Sequence, residues 1–203
     1  TFGASYSQRP KLFGQYFRET HRKFRNEIEG GDYWHQLLLE NYRHKGRDIY
    51  QTVKRDLRAH QKTYKTILTV LGEKDNIIHL SNGWGQFDLL MALDSVDRNI
   101  HTFLEDEEAR SMLRNHYLKH QYSKIKVFDS IDEAIEQKAS VLIIDAIIFG
   151  LKDIPKEKMN EMAILILLKS AKKHARIAIS EFGFETLSED KNVIVLKNQN
   201  KRI

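Results

Sequence analysis

The chain has 203 residues, of which 41% are hydrophobic and 30% are charged, with a formal net charge of +5, no Cys and two Pro. This length is typical of one domain that buries a sizeable core without a disulfide or a metal. The absence of Cys excludes disulfides, Cys-based zinc sites, iron–sulfur clusters and thiol catalysis, and it is typical of reducing compartments.

The positive charge lies in the first third of the sequence. Residues 1–75 contain 15 Lys and Arg against 9 Asp and Glu, whereas residues 76–203 contain 18 against 19. We therefore predict a basic helical lead-in over 1–75 and an α/β domain over 76–203. Because the sequence begins with Thr1 and shows no basic-then-apolar leader, we expect it to be a piece of a longer protein.

The lead-in is predicted to form three helices, because apolar residues recur at helical spacing over 12–28, 34–42 and 49–71. Its basic residues would form a cationic face for phosphate groups. The alternative is an ordinary solvated surface, since acidic residues are interspersed. The aromatic residues have helical spacing, so we expect core packing and no nucleic acid partner. The basic residues are Arg18, Arg22, Lys23, Arg25, Lys54, Arg55, Arg58, Lys62 and Lys65.

From residue 76 onward, short apolar runs alternate with helical patterns. The predicted strands are 76–80, 100–104, 125–128, 141–144, 176–180 and 193–196, and the predicted helices are 86–93, 107–120, 131–137 and 153–173. We expect the first five strands to form a parallel sheet with helices on both faces. The sixth should be antiparallel, because too few residues precede it for a helical crossover. We expect no seventh strand, because the sequence ends soon after the sixth.

Polar residues and glycines follow the first two predicted strands, at the edge where α/β folds bind ligands. Ser81, Gly83 and Gly85 form a loop in which the backbone can approach a ligand closely. Glu105 follows the second strand, in a position suited to the hydroxyl groups of a ribose. The alternatives are that the glycines serve only the turn and that Glu105 caps a helix.

The next two strands also end at carboxylates. Asp129 follows the third strand and Asp145 the fourth, and we expect both to face the same crevice as the glycine loop. Asp129 has the alternative role of a helix cap, and Asp145 is a candidate catalytic base with no partner evident in the sequence. We predict no metal site, because His116 and His120 have helical spacing but no third ligand. His79 is expected to be a core histidine.

The glycine loop, the acid after strand two and the acid after strand three resemble the class I S-adenosylmethionine-dependent methyltransferases over about residues 76–197. The resemblance implies a Rossmann-like, mostly parallel sheet and S-adenosylmethionine as the cofactor. It places Gly83 and Gly85 near the methionine part, Glu105 at the ribose, Asp129 at the adenine and Asp145 on the methyl-acceptor side.

The sequence departs from this family within the loop. The family usually has an acidic residue two positions before the first glycine of its loop. Here His79 stands at the acidic position and Ser81 stands at the position of the first glycine. Trp84 adds a bulky side chain. The alternative is thus a degenerate copy of the fold that serves as a scaffold. A side chain filling the space above Gly83 and Gly85 would favour the scaffold, and an open crevice with Glu105 inside it would favour a cofactor.

The lead-in has a resemblance of its own. Residues 16–21, 32–34 and 41–46 resemble the region after the acyltransferase domain in bacterial lipid-exporter and glycerol-phosphate acyltransferase fusion proteins. The resemblance implies a cytoplasmic domain of a lipid-modifying protein, peripheral to the inner face of the membrane through its parent. The implied partners of the basic helices are anionic lipid or the acyltransferase domain. The acyltransferase signature HxxxxD is not found here in its catalytic setting, so acyl transfer would lie outside this chain.

Overall fold

The computed structural model describes residues 38–39, 42–115, 124–169 and 171–201. The first predicted helix, the start of the second, and residues 116–123 with His116 and His120 lie outside these ranges. The elements are α1 (Arg47–Val70), β1 (Asn76–Ser81), α2 (Gln86–Asp94), β2 (Asn99–Leu104), α3 (Glu107–Arg114), β3 (Lys124–Val127), α4 (Ile131–Ile135), β4 (Val141–Asp145), a 3-10 turn (Leu151–Asp153), α5 (Lys156–Glu161), β5 (Ile164–Leu168), α6 (Lys172–Phe182), β6 (Phe184–Asp190) and β7 (Val193–Asn198).

The strands form one sheet in the order β3-β2-β1-β4-β5-β7-β6. β3, β2, β1, β4 and β5 are parallel neighbours, and β7 pairs antiparallel with both β5 and β6. The first crossover leads from β1 to β2, and the chain then returns to the other side of β1 through β4. Ligands bind at such a reversal of strand order, beyond the carboxyl ends of the strands.

Helices cover both faces of the sheet, as predicted. On one face, α1, α2 and α3 pack on Ile77, Ile143 and Ile166. On the other face, α4, α5 and α6 pack on the residues that alternate with these, including Leu142 and Leu165. Strands buried on both faces are the reason that these segments are apolar at nearly every position.

Helix α1 belongs to the same core as the sheet. Val53, Leu57 and Ile67 are buried and lie in the hydrophobic cluster on the α1 face. The described part of the lead-in therefore packs against the α/β part of the chain, and the boundary at residue 75 stays a prediction. None of the helices in the described ranges is long and apolar enough to cross a membrane.

The region after β4 differs from the sequence prediction. The helix predicted over 153–173 is wrong, because α5 ends at Glu161 and Ile164–Leu168 forms β5 between β4 and β7. All five residues of β5 are buried, so the strand has no alternation of polar and apolar side chains. A short run that is apolar throughout does not reveal its period, and a buried strand cannot then be distinguished from a buried helix.

The strand predicted over 176–180 is also wrong, because these residues lie within α6. The buried positions of α6 are Ala175, Ala178 and Phe182, which have helical spacing, whereas Ile179 is exposed. β6 was not predicted, and with it the sheet has seven strands rather than six. The antiparallel direction predicted for the last strand is confirmed by the pairing of β7 with β5.

A buried arginine holds together the ends of α1 and α2. The guanidinium of Arg98, which is 1% exposed, donates hydrogen bonds to the carbonyl oxygens of Leu71, Gly72 and Met91. It also forms an ion pair with Asp94 at 2.6 Å. A buried charge with this many partners is stabilising only as a complete set, since removal of one side leaves the rest unpaired.

Candidate functional site

The glycine loop connects β1 to α2, and each of its glycines faces a side chain of the same protein. Gly85 has φ 78°, and a Cβ there would lie 2.9 Å from the side chain of Leu113. A Cβ at Gly83 would lie 3.1 Å from Nε2 of Gln86. The Gly83 N–H donates to Oγ of Ser81 at 3.0 Å. The loop therefore needs its glycines for its own packing.

Gln86 ties the glycine loop to α1. Its Oε1 accepts from the Trp84 N–H at 2.7 Å, and its Nε2 donates to the Asp56 carboxylate at 2.8 Å. The Tyr64 hydroxyl donates to the same carboxylate at 2.5 Å. Burial, followed by the nearby charge of Asp56, raises the pKa of Tyr64, so this hydroxyl stays a donor. The result is a hydrogen-bonded cover over the loop.

A second tie runs from the predicted second helix to the same loop. The Tyr42 hydroxyl donates to the Trp84 carbonyl oxygen at 2.9 Å. Burial and then the charge of Asp88 raise the pKa of Tyr42. Trp84 is half-buried and packs against the core on the α1 face, so its indole does not stand in the crevice.

A buried pair lies beneath the loop. Nδ1 of His79 and Oδ1 of Asp88 are 2.8 Å apart, and the two side chains are 1% and 0% exposed. The other polar atoms of the pair, Nε2 of His79 and Oδ2 of Asp88, have no hydrogen-bond partner among the described residues. Asp88 on α2 thus brings a carboxylate close to the β1 position where the resembled family usually has one. His79 is a core residue, as predicted.

Asp145, for which the sequence suggested no partner, is paired at the ends of β4 and β5. Its carboxylate lies 2.6 Å from Nζ of Lys169, and Lys169 also donates to the Asn82 side-chain oxygen at 3.1 Å. Asp145 is 2% exposed, and Lys169 has φ 58°, the only positive φ of a non-glycine in the described part of the chain. Lys169 therefore joins the loops after β1 and β5 to the end of β4.

The two remaining predicted site residues lie outside this cluster. Glu105 is exposed, and its backbone N–H donates to the carbonyl oxygen of Ser81 at 2.9 Å. Its alternative role as a helix cap belongs to Asp106, whose carboxylate accepts from the Ala109 N–H at 2.8 Å. Because Asp106 caps the helix, the Glu105 side chain has no capping role and lies at the surface.

Asp129 is held by arginines rather than by a helix. Its carboxylate lies 2.6 Å from Nη2 of Arg114 and 3.9 Å from Nε of Arg110. The cap of α4 is Ser130, whose hydroxyl accepts from the Glu133 N–H. The alternative helix-cap role of Asp129 is therefore not observed.

One cavity brings together four of the six predicted residues. Ser81, Gly83, Gly85 and Asp145 line it, with Asp56, Tyr64, His79, Asp88 and Lys169, whereas Glu105 and Asp129 do not. Its volume is about 30 Å³. A cavity of that size holds one or two water molecules, while pockets for small organic ligands usually measure about 300–1,000 Å³. The expectation of one crevice shared by all six residues is not met.

Metal ligation is not supported by the described residues. They contain no group of three or more His, Asp or Glu placed to hold a metal ion.

Neither a protein-family model nor a curated protein matches the sequence. Comparison of the structure with solved structures is more informative.

The comparison finds methyltransferases. One from Geobacter sulfurreducens aligns over 75% of this chain and 90% of its own, with 16% identity and a TM-score of 0.54. The chain has the class I methyltransferase fold. A precorrin-6y C5,15-methyltransferase from Geobacter metallireducens aligns over 67% of this chain and 86% of its own, with 9% identity and a TM-score of 0.52. A tRNA (uracil-54, C5)-methyltransferase from Pyrococcus abyssi, solved with S-adenosyl-L-homocysteine, aligns over 68% of this chain and 37% of its own, with 12% identity and a TM-score of 0.52.

The methyltransferase fold suggests a fit test for S-adenosylmethionine. The cofactor would have to approach Gly83, where the side-chain amide of Gln86 lies. The predicted adenine contact, Asp129, forms an ion pair with Arg114. The space between the glycine loop and α1 is about 30 Å³. With α1 in this position, the cavity beside Gly83 is too small for the cofactor, whereas Glu105 and Asp129, the predicted ribose and adenine contacts, are exposed outside it.

Proposed function

We propose that this methyltransferase-fold domain does not transfer methyl groups and instead serves as a docking module of a larger lipid-modifying protein, at the cytoplasmic face of a membrane. The observation that carries the proposal is the side chain of Gln86, which fills the space over Gly83 and is fixed there by Asp56 of α1. The lipid-modifying parent is proposed from the sequence resemblance of the lead-in.

Opening the loop would break a connected set of hydrogen bonds. The Trp84 N–H and the Asp56 carboxylate would each lose the Gln86 amide, and Tyr64 would lose its buried surroundings if α1 moved away. Hydrogen bonds to charged groups contribute about 1.5–3 kcal/mol each, so a ligand would first have to replace these interactions. This cost supports a role for the fold as a scaffold.

The face of α1 that turns away from the sheet supplies the proposed docking surface. Lys54, Arg58, Lys62 and Lys65 recur every three or four residues, opposite the buried side chains of the helix. Arg58, Lys62 and Lys65 are exposed, and Lys62 makes one ion pair, with Asp190 at 3.4 Å. Each basic residue close to an anionic membrane contributes about 1 kcal/mol to binding. The surface is therefore suited to anionic lipid.

Titration with S-adenosylhomocysteine tests the first half of the proposal. We expect neither heat nor a shift of the melting temperature at about 1 mM ligand; a ligand at 100 times its Kd would stabilise the fold by about 2.7 kcal/mol. Saturable binding to the native chain would overturn the non-catalytic role. Binding that appears only in Gln86→Ala would show that this side chain excludes the cofactor.

Sedimentation with vesicles of anionic and of neutral lipid tests the second half. The native chain should bind only the anionic vesicles and should be released by salt, because screening at about 1 M shortens the reach of charges to about 3 Å. Arg58→Glu combined with Lys65→Glu should abolish binding. The matched control, Lys74→Glu with Lys138→Glu, makes the same charge change at exposed positions elsewhere and should lower binding only slightly. Equal loss in both variants would contradict docking through α1.

Glu105 favours a second candidate function, S-adenosylmethionine binding in a state with α1 displaced. Its side chain is exposed, and its backbone is bonded to Ser81, so the predicted ribose ligand lies next to the glycine loop. In that state the predicted roles of Gly83, Gly85, Asp129 and Asp145 would apply. The same titration separates the two candidates, because binding that Glu105→Gln weakens would support the enzyme.

A further inference from the structure

A groove outside the glycine-loop region has room for a ligand. It lies between the 3-10 turn, the start of α5 and the outer side of α6, and its volume is about 540 Å³. This volume is within the range of about 300–1,000 Å³ for pockets that bind small organic molecules. The groove is on the face of the sheet covered by α4, α5 and α6, whereas α1 covers the other face.

The base of the groove is apolar and fixed. Leu151 and Ile154 are 4% exposed, Phe182 is 9% exposed, and all three belong to the hydrophobic core of this face. Ile177 is half-buried and forms part of the wall. Side chains that are packed into a core keep their positions, so the base presents a preformed apolar surface to a ligand.

The rim of the groove is cationic. Lys152, Lys156 and Lys173 line it, and none of them makes an ion pair with a described residue. Glu181 is the only carboxylate among the residues that line the groove, so three lysines against one glutamate leave a formal charge of +2. His174 lies at the same rim.

Two neighbouring lysines that do not line the groove are paired, whereas Glu157, next to Lys156, is exposed. Lys158 lies 3.0 Å from Glu161, and Lys172 lies 3.6 Å from Glu189. The carboxylate of Asp153, which does not line the groove, accepts from the Gly150 N–H at 2.9 Å. The lysines that line the groove therefore place positive charge together at its rim, and like charges placed together in this way attract an anion.

We infer that this groove binds an amphipathic anion, a single acyl chain that ends in a carboxylate or a phosphate. The chain would lie on Leu151, Ile154 and Phe182, and the head group would lie among the lysines of the rim. An inorganic anion would make no contact with the apolar base, and a neutral chain would leave the lysines unpaired. Only a ligand with both parts satisfies both surfaces. The site is independent of the docking surface on α1.

Isothermal titration with dodecanoate, below the concentration at which it forms micelles, tests the inference. We expect saturable binding of one molecule to the native chain, and the same for dodecyl phosphate. Lys152→Gln combined with Lys173→Gln should weaken binding by roughly tenfold or more. Ile177→Ser should also weaken it, through the apolar wall. Lys74→Gln with Lys138→Gln is the matched control and should bind as the native chain does.

Other outcomes would overturn the inference. Equal binding of dodecanol would show an apolar site without charge selection, and full competition by inorganic phosphate would show an anion site without a chain. An unchanged affinity in both groove variants would place the ligand elsewhere. Neither heat nor a shift of the melting temperature at about 1 mM dodecanoate would exclude the site, since a ligand that binds only the folded chain raises its stability even where the heat of binding is near zero. Arg58→Glu with Lys65→Glu should leave dodecanoate binding intact, so failure of membrane docking does not affect this test.

Discussion

The replacement Asp56→Ala tests whether α1 covers the glycine loop in solution. The Asp56 carboxylate accepts from the Tyr64 hydroxyl at 2.5 Å and from Nε2 of Gln86 at 2.8 Å, and it lies 3.0 Å from Nδ1 of His60. Its side chain is 22% exposed. The variant removes the acceptor of all three partners at once, and Tyr64 is buried, with 7% of its surface exposed.

The expected loss follows from these contacts. A hydrogen bond to a charged group contributes about 1.5–3 kcal/mol, but bonds that share one acceptor are not additive, and water can replace part of them. We expect the free energy of unfolding to fall by about 2–4 kcal/mol in Asp56→Ala. For a chain of this size, the melting temperature should fall by roughly 5–15 °C.

The measurement is urea denaturation followed by far-UV circular dichroism, on Asp56→Ala, Gln86→Ala and the double variant. Because the two side chains are bonded, their coupling energy should be at least about 0.5 kcal/mol. Asp97→Ala is the control, since its contact with Lys124 is exposed and 3.7 Å long, and it should cost less than about 0.5 kcal/mol. A loss below about 1 kcal/mol together with additive effects would refute the cover over the loop.

Three further predictions concern the rest of the fold. Arg98→Met removes an ion pair of Asp94 and the side-chain donor to the carbonyl oxygens of Leu71 and Gly72, and should lower the unfolding free energy by about 3–5 kcal/mol in urea, whereas a loss below about 1 kcal/mol would show that water replaces the guanidinium. Burial, followed by the charge of Lys126, lowers the pKa of His101 in the folded state from its usual value of 6.5. As the pH falls, the unfolded state therefore binds a proton first, and the free energy of unfolding should decrease below about pH 6.5. This decrease should be smaller in His101→Gln, as measured by urea midpoints at two pH values. Gly85→Ala combines a positive φ with a Cβ 2.9 Å from Leu113 and should cost about 1–3 kcal/mol in thermal unfolding, whereas an unchanged melting temperature would contradict the close packing.

The sequence was most informative where patterns are local. β1 to β4, α2 and α4 were predicted close to their observed bounds, because each strand is a short apolar run bounded by polar turns, and α3 begins at Glu107 as predicted but ends at Arg114. β5 was missed because it is buried on both faces and therefore shows no period. α6 was misread because Ile177 and Ile179 alternate like a strand, while the buried alanines that define the helix are too small to dominate the pattern.

The site was predictable only as a set of separate strand ends. The glycine loop and Asp145 could be located from the sequence, since they follow strands directly. Asp56 and Lys169 could not, because they are distant in sequence and act through contacts that only the folded chain creates. Both carry charge at otherwise ordinary positions, one in the polar stripe of a helix and one after an apolar run. No local signal distinguishes such residues from a solvated surface.

The contact between Gly85 and Leu113 affects how glycine-loop motifs are interpreted. Any larger residue at position 85 would collide with α3, so the requirement to fold is enough to retain this glycine even if no ligand ever approaches it. Ser81 is different, because its hydroxyl is used within the loop and the fold accepts a side chain there. A methyltransferase-like loop can therefore lose its cofactor and still keep the part of its motif by which it would be recognised.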